Sequence, residues 1–162
     1  DHQIHSPAKS SVENTVALMK EIVLDTLADT EQLAPKLQGP TLRATAKNIW
    51  EFVYYQVRYQ LDEKGKEQVR RPSRTWADRK TGVDCDCYTV FISRLLYNLG
   101  IPHEYRVTSY PKAPDRFSHI YPVIPNQGRP IVIDCVTDAF DFEVPFAKKK
   151  TFPCTAPTAW TV

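Results

Sequence analysis

Apolar positions recur along this chain with two different periods, and the change from one to the other falls near residue 102. Up to that point the spacing is helical. Val12, Val16, Met19, Val23 and Leu27 predict a first helix, with Ser10 or Ser11 as its cap. Thr41 opens a second, running to about Val57, with Leu42, Ile49, Trp50, Val53 and Val57 along one side. The third is the clearest: Tyr88, Phe91, Ile92, Leu95, Leu96 and Leu99 form one apolar stripe. Asp84 is its predicted N-cap, and Gly100 followed by Pro102 stops it. Beyond it the period falls to two. Residues 103–110, 118–124 and 131–136 are rich in Val, Ile and Tyr and predict strands. Helices first and an antiparallel sheet afterwards make an α+β fold, with the third helix central and packed on the sheet.

The connecting segments are read as irregular. Residues 1–10 form a loose, polar lead-in, and Asp29 to Gly39 a connector. Asp62 to Arg79 is charged, is interrupted by Gly65 and Pro72, and predicts a long surface excursion. The tail at 138–162 carries Phe140, Phe142, Phe146 and Phe152 among prolines and predicts irregular structure or a short strand.

With 162 residues the chain is expected to form a single domain spanning 1–162. A formal charge of +2 argues against a nucleic-acid partner, and Arg70-Arg71 and Lys148-Lys149-Lys150 read as solvated faces or loops. No apolar run approaches the ~20 residues of a membrane span. The start at Asp1, without methionine, is read as processed or trimmed, which leaves the compartment open between cytoplasm and export. Cys85, Cys87, Cys135 and Cys154 do not make a disulfide framework for a domain this size, although one bridge, such as Cys135 to Cys154, is conceivable.

Gly82-Val83-Asp84-Cys85-Asp86-Cys87 places a thiol where the third helix begins. Free N–H groups and the positive end of the macrodipole at that point are expected to favour thiolate, the reactive form. Two strand-borne residues complete a Cys–His–Asp set: His119 as general base and acid, Asp134 as the group orienting its imidazole. A hairpin centred between Asn126 and Gln127 would place His119 directly opposite Asp134, with Cβ atoms about 4.5–5.5 Å apart. The Cys85 backbone N–H is the expected oxyanion donor, and Trp76 a candidate side-chain donor. Two other classes compete. Cys85, Cys87, His119 and Cys135 could hold zinc, but Cys-x-Cys is not the usual ribbon spacing. A catalytically silent binding module would carry an ordinary thiol.

Cys85-Asp86-Cys87-Tyr88 followed by Leu95-Leu96-Tyr97-Asn98-Leu99-Gly100-Ile101-Pro102 resembles the nucleophile helix of the transglutaminase-like superfamily. The spacing from Cys85 to Gly100 suits that pattern, whereas Cys87 falls two residues short. His119-Ile120-Tyr121 stands where the family has His-x-Trp, which places Tyr121 in the cleft, and Asp134 closes Ile131-Val132-Ile133 where the family has its Asp. Ala46 to Tyr59 and Val69-Arg70-Arg71-Pro72 are similar to what precedes the cysteine in bacterial members, so the likeness covers roughly 42–136. The resemblance implies a papain-like α+β core. It also implies a cysteine peptidase or amidase acting on a peptide or protein, with cross-linking of glutamine side chains as the alternative and no metal or other cofactor.

Overall fold

The computed structural model describes residues 3–6, 11–63 and 65–154. The chain runs β1 (Ile4–His5), α1 (Val12–Asp25), a 3-10 turn (Leu27–Asp29), α2 (Ala34–Leu37), α3 (Leu42–Gln56), β2 (Val69–Arg70), α4 (Pro72–Ala77) and α5 (Cys85–Asn98). Strands β3 (His103–Ser109), β4 (His119–Ile124), β5 (Ile131–Val132) and β6 (Lys148–Cys154) follow. The last four form one antiparallel sheet in the order β5-β4-β3-β6, and β1 pairs with β2 in a separate ribbon. This is an α+β arrangement. No helix among the described residues is long and apolar enough to cross a membrane.

Local chemistry sets the helix ends. Ser11 caps α1 by accepting from the Asn14 N–H at 3.1 Å, and Thr41 caps α3 by accepting from Ala44 at 3.0 Å. At the far end of α5 the Gly100 N–H reaches Tyr97 O and the Ile101 N–H reaches Leu96 O, with Gly100 at φ 68°. That is a Schellman close, and the left-handed residue in it is glycine because it carries no Cβ.

Helix α5 packs on β3 and β4 and is covered elsewhere by α1, α2, α3 and α4. Burial therefore extends beyond the stripe seen in the sequence, and every residue from Asp86 to Tyr97 is buried. Its polar face finds partners inside the protein. Ser93 Oγ lies 2.7 Å from His103 Nε2 and accepts from the Tyr105 hydroxyl at 2.7 Å. Arg94 donates to Val23 O and, at 3.0 Å, to Asn98 Oδ1. Thr89 donates to Cys85 O at 2.9 Å.

Several connecting segments are more ordered than their composition suggests. Ile4 and His5 of the lead-in pair with β2, and the 29–39 connector holds the single-turn α2. The 62–79 excursion contains β2 and α4, fastened by ion pairs. Arg71 holds Asp29 at 2.7 Å, and Arg70 and Arg74 each reach Asp78 at 2.8 Å. The arginines expected on a solvated face are thus structural. The tail supplies seven-residue β6, an edge strand, and both its lysines and Pro153 suit an edge. Lys148 pairs with Asp115 and Lys150 with Glu13. Residues 155–162, and most of 1–10, lie outside the described part. All four cysteines are free thiols, so Cys135 and Cys154 are not bridged; they sit in separate core clusters.

The buried His103 makes stability acid-sensitive. Burial lowers its folded-state pKa from 6.5 to about 4. Between those values the unfolded chain binds the proton and the folded one does not. The contribution is therefore complete above pH 6.5 and is lost as pH falls toward 4. Urea unfolding across this window should show a stability loss approaching about 1.4 kcal/mol per pH unit from this one group. His103→Gln should flatten the slope by that amount; an unchanged slope would show that His103 is not held neutral.

Candidate active site

Cys85 is placed by the turn that feeds α5. Gly82, at φ 110°, has no Cβ, and one built there would come within 2.6 Å of Gln60 Cβ. That close approach lets residues 58–60 run beside Val83, joined through Arg58 N to Arg79 O, Val83 N to Arg58 O and Gln60 N to Val83 O. Asp84 then caps the helix. Its Oδ1 accepts from the Cys85 N–H at 2.7 Å and its Oδ2 from the Asp62 N–H at 3.0 Å. The amide expected to serve as oxyanion donor is therefore already engaged by the cap.

His119 and Asp134 meet as the residue types required, by a different register from the one expected. The hairpin pairs Val123 with Val132 and Ile124 with Ile131, so its centre lies one residue later than Asn126–Gln127. Direct opposition is lost, but a shift of two in the pairing sum keeps both residues on one face, now diagonal neighbours. His119 Nε2 lies 2.7 Å from Asp134 Oδ2. Strand β5 ends at Val132, and Asp134 is fixed beyond it by hydrogen bonds. Its carbonyl accepts from the Trp50 indole N–H and the Thr137 hydroxyl, each at 2.9 Å, and its Oδ1 from the Val136 N–H at 3.1 Å. Trp50, which the periodicity marked only as a core residue, is thus a direct support of Asp134.

Two hollows adjoin His119. One, of about 180 Å³, holds Cys85 and His119 between the first turns of α1 (Ser11, Val12, Thr15, Val16) and the acidic residues Glu67, Asp84 and Asp86. The other is an apolar groove of about 700 Å³ that brings Tyr110, Val136, Ala139, Phe142 and Val144 beside His119 and Asp134.

The electrostatics reverse one expectation. Burial pushes the Cys85 thiol well above its ordinary range, and the carboxylates of Asp86 and Asp84 push it further; the Ile120 backbone N–H works the other way. At rest Cys85 is therefore a thiol, and the helix N-terminus does not outweigh burial and the carboxylates beside it. Burial also raises the Asp86 carboxyl well above the usual range, with Asp84, Asp62 and Glu67 adding to it. Asp62, Asp84 and Asp86 can place one oxygen each within 4.8 Å of the others, and they are the set among the described residues able to hold a metal ion.

The four residues considered for zinc do not come together. Cys87 faces Gln68 O and the Arg70 guanidinium, each at 3.5 Å, and burial drives its pKa to about 12. Cys135 points at Trp50 O. Trp76 stacks on Phe52 at 5.6 Å beneath the Arg79 guanidinium and lines a different groove from Cys85. It offers no donor to the thiol. Tyr121 is at the site, its ring 5.2 Å from the His119 ring, but its hydroxyl donates to Glu143 Oε2 at 2.5 Å.

Compared with known proteins, the chain matches no family model and no curated protein sequence.

Because burial and, at the high pH where the thiol ionises, the neighbouring carboxylates hold it up, Asp86→Asn should move the pH midpoint of Cys85 alkylation downward. A midpoint that stays in place would show that Asp86 exerts no charge on the sulfur.

Proposed function

We propose that the protein is a thiol acyl-transfer enzyme, a cysteine peptidase or amidase with a transglutaminase-like arrangement of Cys85, His119 and Asp134. The observation that carries this reading is the 2.7 Å contact of His119 with Asp134, made at the wall of the cavity that also holds Cys85. With Nε2–H given to the carboxylate, Nδ1 is the nitrogen left to accept a proton. As the Cys85 sulfur bonds to an amide carbonyl carbon, its proton passes to His119 Nδ1. The carbonyl π electrons move to oxygen, giving a tetrahedral oxyanion. When the oxyanion collapses, the C–N bond breaks and His119 returns the proton to the departing amine. Water, losing a proton to the same imidazole, then attacks the thioester; the C–S bond breaks and the thiol is restored. An amine in place of water would make the same cycle a cross-linking reaction.

The resting protonation state shapes this mechanism. Since the thiol is held neutral, proton transfer accompanies attack, and Asp134 contributes by stabilising the imidazolium formed at that moment. The same enclosure and the same carboxylates favour a second reading, a silent binding module that retains the arrangement without turnover.

Iodoacetamide labelling with mass-spectrometric site mapping separates the two. In the enzyme reading, His119→Ala lowers the Cys85 labelling rate at neutral pH by about tenfold or more, within the usual range for general-base assistance. A wild-type profile left unchanged by His119→Ala would support the silent module.

A further inference from the structure

A single hydrogen bond fixes one end of an imidazole and leaves the ring free to turn about that contact. His119 is held at Nε2 by Asp134, and the face of its ring meets Tyr121 at 5.2 Å between centroids with a 37° tilt. Tyr121 is 2% exposed and packs with Val123 and Val132, and its hydroxyl end is held as well. The residue that holds it is Glu143. One carboxylate oxygen of Glu143 accepts from the Tyr121 hydroxyl at 2.5 Å and from Arg106 Nη1 at 2.8 Å. Arg106 is buried on β3, its other close partner is Glu104 at 3.4 Å, and its Nε has no partner among the described residues. Glu143 thus joins β3 and β4 from a segment with no regular structure.

That segment is itself pinned. Asp141, at φ 56°, accepts from the Val132 N–H at 2.9 Å and pairs with Arg43 at 2.6 Å. Asp141 and Glu143 are engaged inward, while Phe142 and Val144 between and after them line the apolar groove beside His119 and Asp134.

We propose that Glu143 is a positioning residue for the reaction: it holds the Tyr121 ring against His119, and by the same clamp it sets the Phe142–Val144 wall of the groove. This inference rests on the reading of His119 as the general base. Glu143 touches neither substrate nor reacting atoms; it acts through Tyr121. The hydroxyl of Tyr121 is occupied by this clamp, so Tyr121 backs the His119 ring and is not a proton donor.

The imidazole C–H signals of His119, assigned by their loss in His119→Asn, report on this directly through their NMR chemical shifts. Tyr121→Phe keeps the ring and the Glu143 charge and removes only the tether. It should change the ring-current shift of those signals. Glu143→Ala should do the same, the double variant should do no more than either single one, and Glu143→Gln, which keeps an acceptor, should restore most of the wild-type signature. Should Glu143→Ala fail to fold with Arg106 unpaired, Tyr121→Phe and Glu143→Gln still decide. A His119 signal unmoved in Tyr121→Phe, or shifts that add in the double variant, would overturn the proposal. The NMR shifts do not depend on turnover. If Cys85 labelling ignores His119→Ala while these shifts appear, the enzyme reading fails and the clamp stands.

Discussion

Helix α5 is buried on every side, and most of the structure follows from the need to satisfy what that burial encloses. An apolar stripe alone would have required one covering face. Because Thr89, Ser93 and Arg94 are enclosed too, the surrounding elements must supply hydrogen-bond partners as well as apolar surface. His103 and Tyr105 on β3, the Val23 carbonyl on α1 and Asn98 on α5 itself meet that need. The helix is thereby locked in rotation and in height, and Cys85 at its first turn is locked with it.

The site is assembled from three pieces. Gly82 and Asp84 place the thiol, the β4–β5 pairing and Trp50 place Asp134, and the Asp134 and Tyr121 contacts place His119. Charge and geometry pull in different directions there. The geometry pairs the His119 imidazole with the Asp134 carboxylate, while burial and the flanking Asp84 and Asp86 hold the thiol protonated. A nucleophile in that state depends on its base more heavily than a preformed thiolate would, since proton removal has to occur during attack.

Much of this was readable in the sequence where a single local rule decided the outcome. The α5 stripe, the Asp84 cap and the Gly100 stop depend on residues within a few positions of one another, and strands β3 and β4 follow from period-two runs. The readings that missed involve partners distant in sequence. Arg70 and Arg71 looked solvated because Asp78 and Asp29 could not be known to face them. The lysine-rich run was read as a solvated face or loop, and it is the solvated face of an edge strand, where such charges are tolerated. The hairpin register was off by two because nothing within Pro125 to Gly128 fixes which residues centre the turn. The N-terminal placement of Cys85 suggested a low thiol pKa. The opposing carboxylates were visible at Asp84 and Asp86, but their weight depends on burial, which spacing does not reveal. Glu143 carried no local signal at all.

A covalent acyl intermediate on Cys85, as proposed, is detectable by intact-mass spectrometry. The protein is mixed with an activated acyl ester, quenched in acid within seconds, and mapped by peptide digestion. The expected result is one acyl adduct confined to Cys85 that decays on standing, is absent in Cys85→Ser, and is slow to form and slow to decay in His119→Ala. An unmodified Cys85, or acylation spread over lysines and unaffected by His119→Ala, would contradict it.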